Sequence, residues 1–236
     1  GPPSLVMHMG RRGVAFSARG ELYISDQDQH GVQVLDDGGN FLRGIGGFGS
    51  GDGELNCPCG LSFTPGGELV VADGSNNRLQ VFREDGTFVR SIGSQGNEDG
   101  LLEFPSDVAI GADGSIVVAS RARLQVFTKE GQFVRRIGAA GQGCGKPSIS
   151  APHFVCVGPG GEIIVTDLGT PYVAVFGADG GHLQSIGPVD QYLAEHVGWM
   201  HRGVAVDSRG RVFVTVRVVL GNGRDEMGES RVVMYT

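Results

Sequence analysis

Short apolar runs recur along the whole chain and are separated by breaks rich in Gly, Asn and Asp-Gly. The clearest stretch has four such runs, at 60–63, 68–73, 78–82 and 88–92, with a Pro-Gly-Gly break after the first run and an Asp-Gly break before the last. Runs of about four to eight residues bounded by turn residues are typical of β-strands, because amphipathic helices need longer periodic segments. The pattern therefore predicts groups of four short antiparallel strands joined by tight turns.

This four-strand unit is repeated five times. Four of the copies finish on Ile-Gly, at 45/46, 92/93, 137/138 and 186/187, which gives steps of 47, 45 and 49 residues. A lone four-stranded meander cannot bury its faces, so consecutive copies are expected to stack as blades around a central axis. The predicted fold class is all-β, a β-propeller. The predicted units cover residues 11–46, 58–93, 105–138, 152–187 and 201–236.

The two ends of the chain complement each other. The last unit has only three strand runs, and residues 4–10 read like the outer strand of the other units. Pairing the N-terminal strand into the C-terminal blade would remove an open sheet edge, which is an aggregation hazard. We therefore predict a ring of five blades closed by residues 4–10. The alternative is a six-bladed parent from which one blade is missing.

One stretch resembles a known repeat. Val71-Ala-Asp73 is followed by Asn76-Asn-Arg-Leu-Gln-Val-Phe82, and this resembles an NHL repeat, whose usual form is an Ile-Val-Ala-Asp strand followed by Asn-His-Arg-Ile-Gln-Val-Phe. The fourth unit, with Glu162-Ile-Ile-Val-Thr-Asp167, is similar to units of tripartite-motif NHL proteins. The resemblance implies a propeller face that binds single-stranded RNA, or one that captures protein partners for an attached ubiquitin-ligase module.

Composition narrows the class of protein. The 236 residues are 40% apolar and include 42 glycines, which fits one all-β domain spanning 1–236. No apolar run approaches the roughly 20 residues of a membrane span. The four cysteines are too few for a disulfide framework in a chain of this length, which favours a reducing, cytoplasmic location. A net charge of −7 disfavours generic attraction to nucleic acid, and we expect a monomer.

The candidate binding site is a face rich in loops. The inter-blade segments 46–59, 93–106, 138–153 and 187–202 are longer than the other turns, and they should share one face with the turns between second and third strands. Loops on a rigid scaffold are where binding normally resides. Arginines there could hold a phosphate, a carboxylate or an acidic peptide, or could pair with acidic residues of the same loops. The candidates are Arg11, Arg12, Arg78, Arg121, Arg123, His153, Tyr172, Trp199, His201 and Arg202.

Aspartates recur at the end of the second strand. Asp26, Asp73 and Asp167 hold this position in three units, and Ser120 replaces the aspartate in the third unit. A carboxylate at this point can accept hydrogen bonds from turn N–H groups. We interpret these residues as structural, because a catalytic group needs to be present only once.

Catalytic signatures are weak. His153 and His201 with Cys59 are the candidate metal ligands at the channel mouth, but a metal site needs three or four convergent ligands. No phosphate loop or nucleophile elbow is recognisable. We therefore predict a chain that is not an enzyme and that has no metal and no cofactor. A metal-dependent lyase or hydrolase is the second alternative.

The predicted function is recognition of a protein or peptide, with substrate recruitment for a ubiquitin ligase as its setting. The acidic charge supports it, as does the departure of the third unit from the Asn-His-Arg pattern at 120–123. Binding of single-stranded RNA on the same face is the alternative, because several arginines are placed there by the repeat. Those arginines are Arg11, Arg12, Arg78, Arg121, Arg123 and Arg202.

Overall fold

The computed structural model describes residues 13–121, 123–138, 149–168, 170, 172–187, 198–219 and 230–235. The fold is a β-propeller of antiparallel blades, and the described strands form five sheets. Blade 1 contains β1 (Val14–Phe16), β2 (Leu22–Asp26), β3 (Gly31–Leu35) and β4 (Phe41–Gly46). Blade 2 contains β5 (Pro58–Phe63), β6 (Leu69–Asp73), β7 (Arg78–Phe82) and β8 (Phe88–Ile92). Blade 3 contains β9 (Asp107–Ile110), β10 (Ile116–Ser120), β11 (Arg123–Phe127) and β12 (Phe133–Ile137). Blade 4 contains β13 (Pro152–Val157), β14 (Ile163–Asp167), β15 (Val173–Phe176) and β16 (His182–Ile186). Blade 5 contains β17 (Gly198–Val206), β18 (Val212–Val219) and β19 (Ser230–Tyr235).

Every blade is a simple meander in which each strand pairs with its sequence neighbour. The predicted fold class and the number of blades are confirmed. The fifth blade has three strands in the described part of the chain. The closing strand predicted at 4–10 lies outside that part. The described helical structure is one 3₁₀ turn at Gly74–Asn76, followed by Asn77 in the left-handed region with φ of 57°. No helix of the described segments is long and apolar enough to cross a membrane.

The hydrophobic core lies between the blades. In β6, Leu69 and Val71 pack with blade 1, whereas Val70 and Ala72 pack with blade 3. All of these side chains are buried, so the strand is covered on both faces. Strands covered on both faces read as continuous apolar runs, which explains the short unbroken runs in the sequence.

In the described part of the chain, one face of blade 1 and one face of blade 5 are not covered by a neighbouring blade. Leu61 of β5 is 5% exposed because blade 1 covers it, whereas its repeat equivalent Val14 in β1 is 57% exposed. Val173 of β15 packs with blade 5 and is 1% exposed, whereas Val232, at the same register position in β19, is 68% exposed. We call these uncovered surfaces of blades 1 and 5 the seam faces. Apolar residues whose equivalents are buried between other blades are therefore exposed on the seam faces.

Candidate functional site

The turns between second and third strands meet the inter-blade loops at one end of the propeller. The amide of Cys57 donates to His30 Nδ1 at 3.1 Å. The amide of Phe104 donates to Asn77 Oδ1 at 2.9 Å. The amide of Leu168 donates to the carbonyl of Ala151 at 2.9 Å. These contacts place the two kinds of loop on a shared surface, the loop face.

Asp73 organises the loop face beside blade 2. Its carboxylate is fully buried and accepts hydrogen bonds from the Asn56 amide at 2.8 Å and from Asn76 Nδ2 at 2.9 Å. It also accepts from Arg78 Nε at 2.9 Å and Gln80 Nε2 at 3.0 Å. We call these five residues the Asp73 cluster. A buried charge is stable only when it is paired and hydrogen-bonded, so this carboxylate has a structural role.

Arg78 was predicted to face a ligand, but it points into the protein. Its side chain is largely buried and forms an ion pair with Asp73. Its NH2 group donates to the carbonyls of Gly51 at 2.7 Å and Glu54 at 3.0 Å. Arg78 therefore ties the 46–59 loop to blade 2, and its guanidinium is occupied.

Two further candidates lie at the surface of the same face. Arg121 is exposed, and its guanidinium pairs with Glu103 at 3.0 Å. Arg123 donates from NH1 to the Asn97 carbonyl at 2.6 Å and from NH2 to the side-chain oxygen of Asn97. Both arginines therefore contact residues of the 93–106 loop. This fits the alternative given above, in which the arginines bind residues of the loops and not a ligand.

The two remaining candidates with described side chains differ in environment. His153 is buried within β13, and its ring packs edge-on against Phe154 at a centroid distance of 4.3 Å. Its carbonyl accepts a hydrogen bond from Ser106 Oγ at 3.1 Å, which joins blades 3 and 4. Tyr172 is exposed at the turn before β15. His153 is therefore part of a blade junction and does not line an open channel mouth.

The other candidates fall outside the described structure in whole or in part. Arg11 and Arg12 precede the described residues. Trp199, His201 and Arg202 lie in the first part of β17, residues 198–202, where the structure describes the backbone alone. The basic cluster predicted from residues of the first and last units stays a prediction.

The inner strands of all five blades surround a central cavity of about 480 Å³. Most of its lining is apolar or glycine, and Asp107 at the start of β9 supplies a carboxylate. This carboxylate accepts hydrogen bonds from the amides of Val108 and Val155, both at 2.9 Å. Burial raises the pKa of Asp107 to about 7, although both hydrogen bonds act to lower it. Burial, together with the charge of Asp107, raises the pKa of the neighbouring Cys156 thiol to about 12.

Sequence reasoning missed Asp107, although a signal was present. The repeat places Gly13, Gly60 and Gly203 at the equivalent position of other blades, so a carboxylate there is an exception. A Cβ atom on Gly60 would lie 1.8 Å from Asp107 Oδ1. The carboxylate therefore packs directly over the neighbouring inner strand.

Phe48 is a second residue that the sequence analysis missed. Its side chain is 72% exposed on the 46–59 loop. The ring packs edge-on against His30 at a centroid distance of 4.8 Å. Gln95 occupies the equivalent place in the next loop, since Phe48 bridges Leu55 as Gln95 bridges Leu102. The scaffold therefore does not require an aromatic residue at this position.

A family profile of the NHL repeat matches residues 55–82. The match includes all five residues of the Asp73 cluster, and together with the five blades it supports an NHL-repeat propeller. No curated protein matches the chain in sequence.

Solved structures share the fold at low sequence identity. Virginiamycin B lyase from Staphylococcus aureus is 12% identical, with a TM-score of 0.66 over 94% of this chain and 68% of that protein. Hydrazine synthase from Kuenenia stuttgartiensis is 18% identical, with a TM-score of 0.69 over 98% and 65%. A structure described as a putative gluconolactonase is 17% identical, with a TM-score of 0.65 over 95% and 78%. At these identities the likeness concerns the fold.

The prediction that the chain is not an enzyme is wrong as it was argued. Lyases and a protein described as a putative gluconolactonase are among the structures that share the fold, so this architecture is one that enzymes use. The missing sequence motifs were a poor criterion, because propellers build sites from residues of several blades. In the described segments, no three His, Cys, Asp or Glu side chains are grouped so that they could hold a metal ion.

Proposed function

We propose that the loop face binds a protein or peptide partner and that Phe48 is its aromatic anchor. Exposed aromatic side chains on rigid surfaces supply much of the energy of protein association. In a parent protein with a ubiquitin-ligase module, this face would recruit the substrate.

The observation that carries the proposal is the fixed exposure of Phe48. The amide of Leu55 donates to the Gly47 carbonyl at 2.8 Å, and Asn76 Nδ2 donates to the Gly49 carbonyl at 2.9 Å. Leu55 is fully buried. The loop is therefore anchored on both sides of Phe48, and little entropy is lost when a partner covers the ring.

The state of the arginines supports a peptide over RNA. Arg78 is committed to Asp73, and Arg121 is paired with Glu103. Affinity for RNA comes largely from cations that are available to neutralise phosphates. In the described part of the loop face, the Phe48 ring is exposed and available to a partner, whereas Arg78 and Arg121 are already paired with carboxylates.

The experiment is selection of peptides from a random display library on the intact protein, followed by measured affinities for the Phe48→Ala and Phe41→Ala variants. Phe41 is a matched control because it is exposed on β4, away from the 46–59 loop. We expect Phe48→Ala to weaken binding by about tenfold or more, equivalent to about 1.4 kcal/mol, and Phe41→Ala to change it less than twofold.

The same variants separate the alternatives. Equal loss in both variants, or no loss in either, would reject Phe48 as the anchor. A randomised single-stranded RNA pool at about 0.15 M salt is the parallel arm. RNA binding that survives Phe48→Ala and weakens steeply with salt would replace the peptide proposal.

Asp107 favours a second candidate function, acid–base chemistry on a small molecule in the central cavity. A carboxyl group with a pKa of about 7 is populated in both protonation states near neutral pH, which is the property of an effective general acid or base. The cavity of about 480 Å³ lies in the size range of small-ligand sites.

Test substrates can be taken from the enzymes that share the fold, namely gluconolactone and quinupristin. Turnover by the wild type that falls at least a hundredfold in Asp107→Asn, with the fold retained by circular dichroism, would support this function. Turnover that is equal in both proteins would exclude Asp107 as the acid or base.

A further inference from the structure

Blade 3 keeps two side-chain donors of the Asp73 cluster, an arginine and a glutamine, but lacks its carboxylate. In blade 2 these donors are Arg78 and Gln80, which bind Asp73 at the end of β6. The same register positions in blade 3 are Ser120, Arg123 and Gln125, because Ser120 pairs with Arg123 as Asp73 pairs with Arg78. Serine has replaced the aspartate, and the shorter turn at 121–122 has no counterpart of Asn76.

The replacement leaves a buried polar atom without a partner. Ser120 is fully buried, and its Oγ makes no hydrogen bond to any described residue. In native proteins such groups are rare, because burying a hydroxyl without a hydrogen-bond partner destabilises the fold. A small ligand at this position would supply the missing hydrogen bond of Ser120 Oγ.

Gln125 also retains donor capacity. In blade 2, Gln80 Nε2 donates both to the Glu54 carbonyl and to the Asp73 carboxylate. In blade 3, Gln125 Nε2 donates to the Leu101 carbonyl at 2.7 Å, and its second hydrogen has no acceptor among the described residues. Gln125 is completely buried, so this hydrogen is shielded from bulk water.

Among the described residues, Arg123 has no carboxylate counter-ion. Arg123 donates to the backbone and side chain of Asn97 and forms no ion pair within the described segments. In the 93–106 loop, the Glu103 carboxylate is already paired with Arg121 at 3.0 Å, and the Asp99 carboxylate with Arg136. In blade 2 the corresponding arginine has Asp73 as its counter-ion.

We propose that blade 3 binds a small inorganic anion of the size of chloride, which replaces the carboxylate that blades 1, 2 and 4 carry. Ser120 Oγ, the second hydrogen of Gln125 Nε2 and Arg123 Nε are its donors, at the positions that surround the carboxylate in blade 2. Serine has one heavy atom beyond Cβ and aspartate has three, so the replacement frees the volume of two heavy atoms, which is the scale of one halide ion. Larger ligands are excluded because Ser120 lies beneath the loop face.

The test compares thermal unfolding of the wild type in sodium chloride and in sodium gluconate at equal ionic strength. We expect the midpoint to rise by about 2–4 °C between 10 mM and 500 mM chloride and to change little in gluconate, because an anion that binds only the folded state stabilises it by mass action. Ser120→Asp supplies the carboxylate covalently. This variant should melt at a higher temperature and lose the chloride dependence.

A matched variant on blade 2 makes the test independent of Ser120. Asp73→Ser recreates the donor set of blade 3 there and should add a chloride dependence, even if its midpoint in gluconate is low. Crystals of the wild type soaked in bromide should show anomalous density beside Ser120, which Ser120→Asp should remove. Equal midpoints in chloride and gluconate, or a chloride effect that Ser120→Asp retains, would overturn the proposal and leave water as the partner of Ser120.

Discussion

Arg78 and Arg121 show how similar residues of one face differ in role. Arg78 is the charged partner of a buried carboxylate, whereas Arg121 forms an exposed pair with Glu103. We expect Arg78→Ala to lower the free energy of unfolding by about 3 kcal/mol, because it leaves Asp73 buried with its charge less compensated. Arg121→Ala should change it by less than about 0.5 kcal/mol. Urea unfolding of both variants checks this, and equal losses would contradict the assigned roles.

Asp107 gives the protein a dependence on pH in the neutral range. Its folded pKa of about 7 lies above the ordinary value, so the unfolded chain releases its proton first and stability falls as the pH rises toward 7. Between pH 5 and pH 8 the wild type should lose about 2–3 kcal/mol of stability through this group, and Asp107→Asn should abolish that loss. Thermal melts of the wild type and the variant across this range measure the difference.

Asp113 supplies the control for this experiment. Hydrogen bonds from Ser115 hold the pKa of the Asp113 carboxyl below its usual value, so its titration lies in the acid range. Asp113→Asn should leave the change between pH 5 and pH 8 as it is in the wild type. An identical slope in Asp107→Asn and the wild type would show that Asp107 does not titrate there.

At the scale of elements, the close approach of β5 and β9 requires a residue without a side chain at Gly60. A Cβ atom on Gly60 would lie 2.7 Å from the Asp107 Cα atom, so neither strand could keep its position. We expect Gly60→Ala to cost at least about 2 kcal/mol, since overpacking forces the backbone to move. Gly66→Ala is the control, because the nearest atom to its Cβ is Thr64 Oγ1 at 3.8 Å. Chemical denaturation that ranks the two variants equally would argue against close contact of the inner strands.

At the scale of the whole molecule, the seam faces determine how the propeller responds to polar substitutions. Val173→Thr places a hydroxyl between blades 4 and 5. It should lower the free energy of unfolding by about 1–3 kcal/mol, because the hydroxyl is buried among apolar side chains without a hydrogen-bond partner. Val232→Thr, with the same change of atoms at the equivalent register position, should cost less than about 0.5 kcal/mol. Equal costs in urea unfolding would show that the seam faces are covered in solution.

The sequence was a good guide to strands and a poor guide to side-chain direction. Five-residue apolar runs and turn glycines were enough for the blades, because strand period and turn conformation are local properties. Asp73 was correctly interpreted as structural from its recurrence. For Arg78, the position in a loop did not reveal that its guanidinium turns inward to Asp73.

By itself the sequence determined the repeat, the all-β class and the surface that carries the loops, since these depend on patterns within about 47 residues. Only the tertiary structure decided which polar groups converge. Asp107 reaches Val155 of the next blade, and His30 packs edge-on against Phe48 from another loop. Such contacts join residues that are distant in the chain, so their chemistry depends on how the blades pack around the axis.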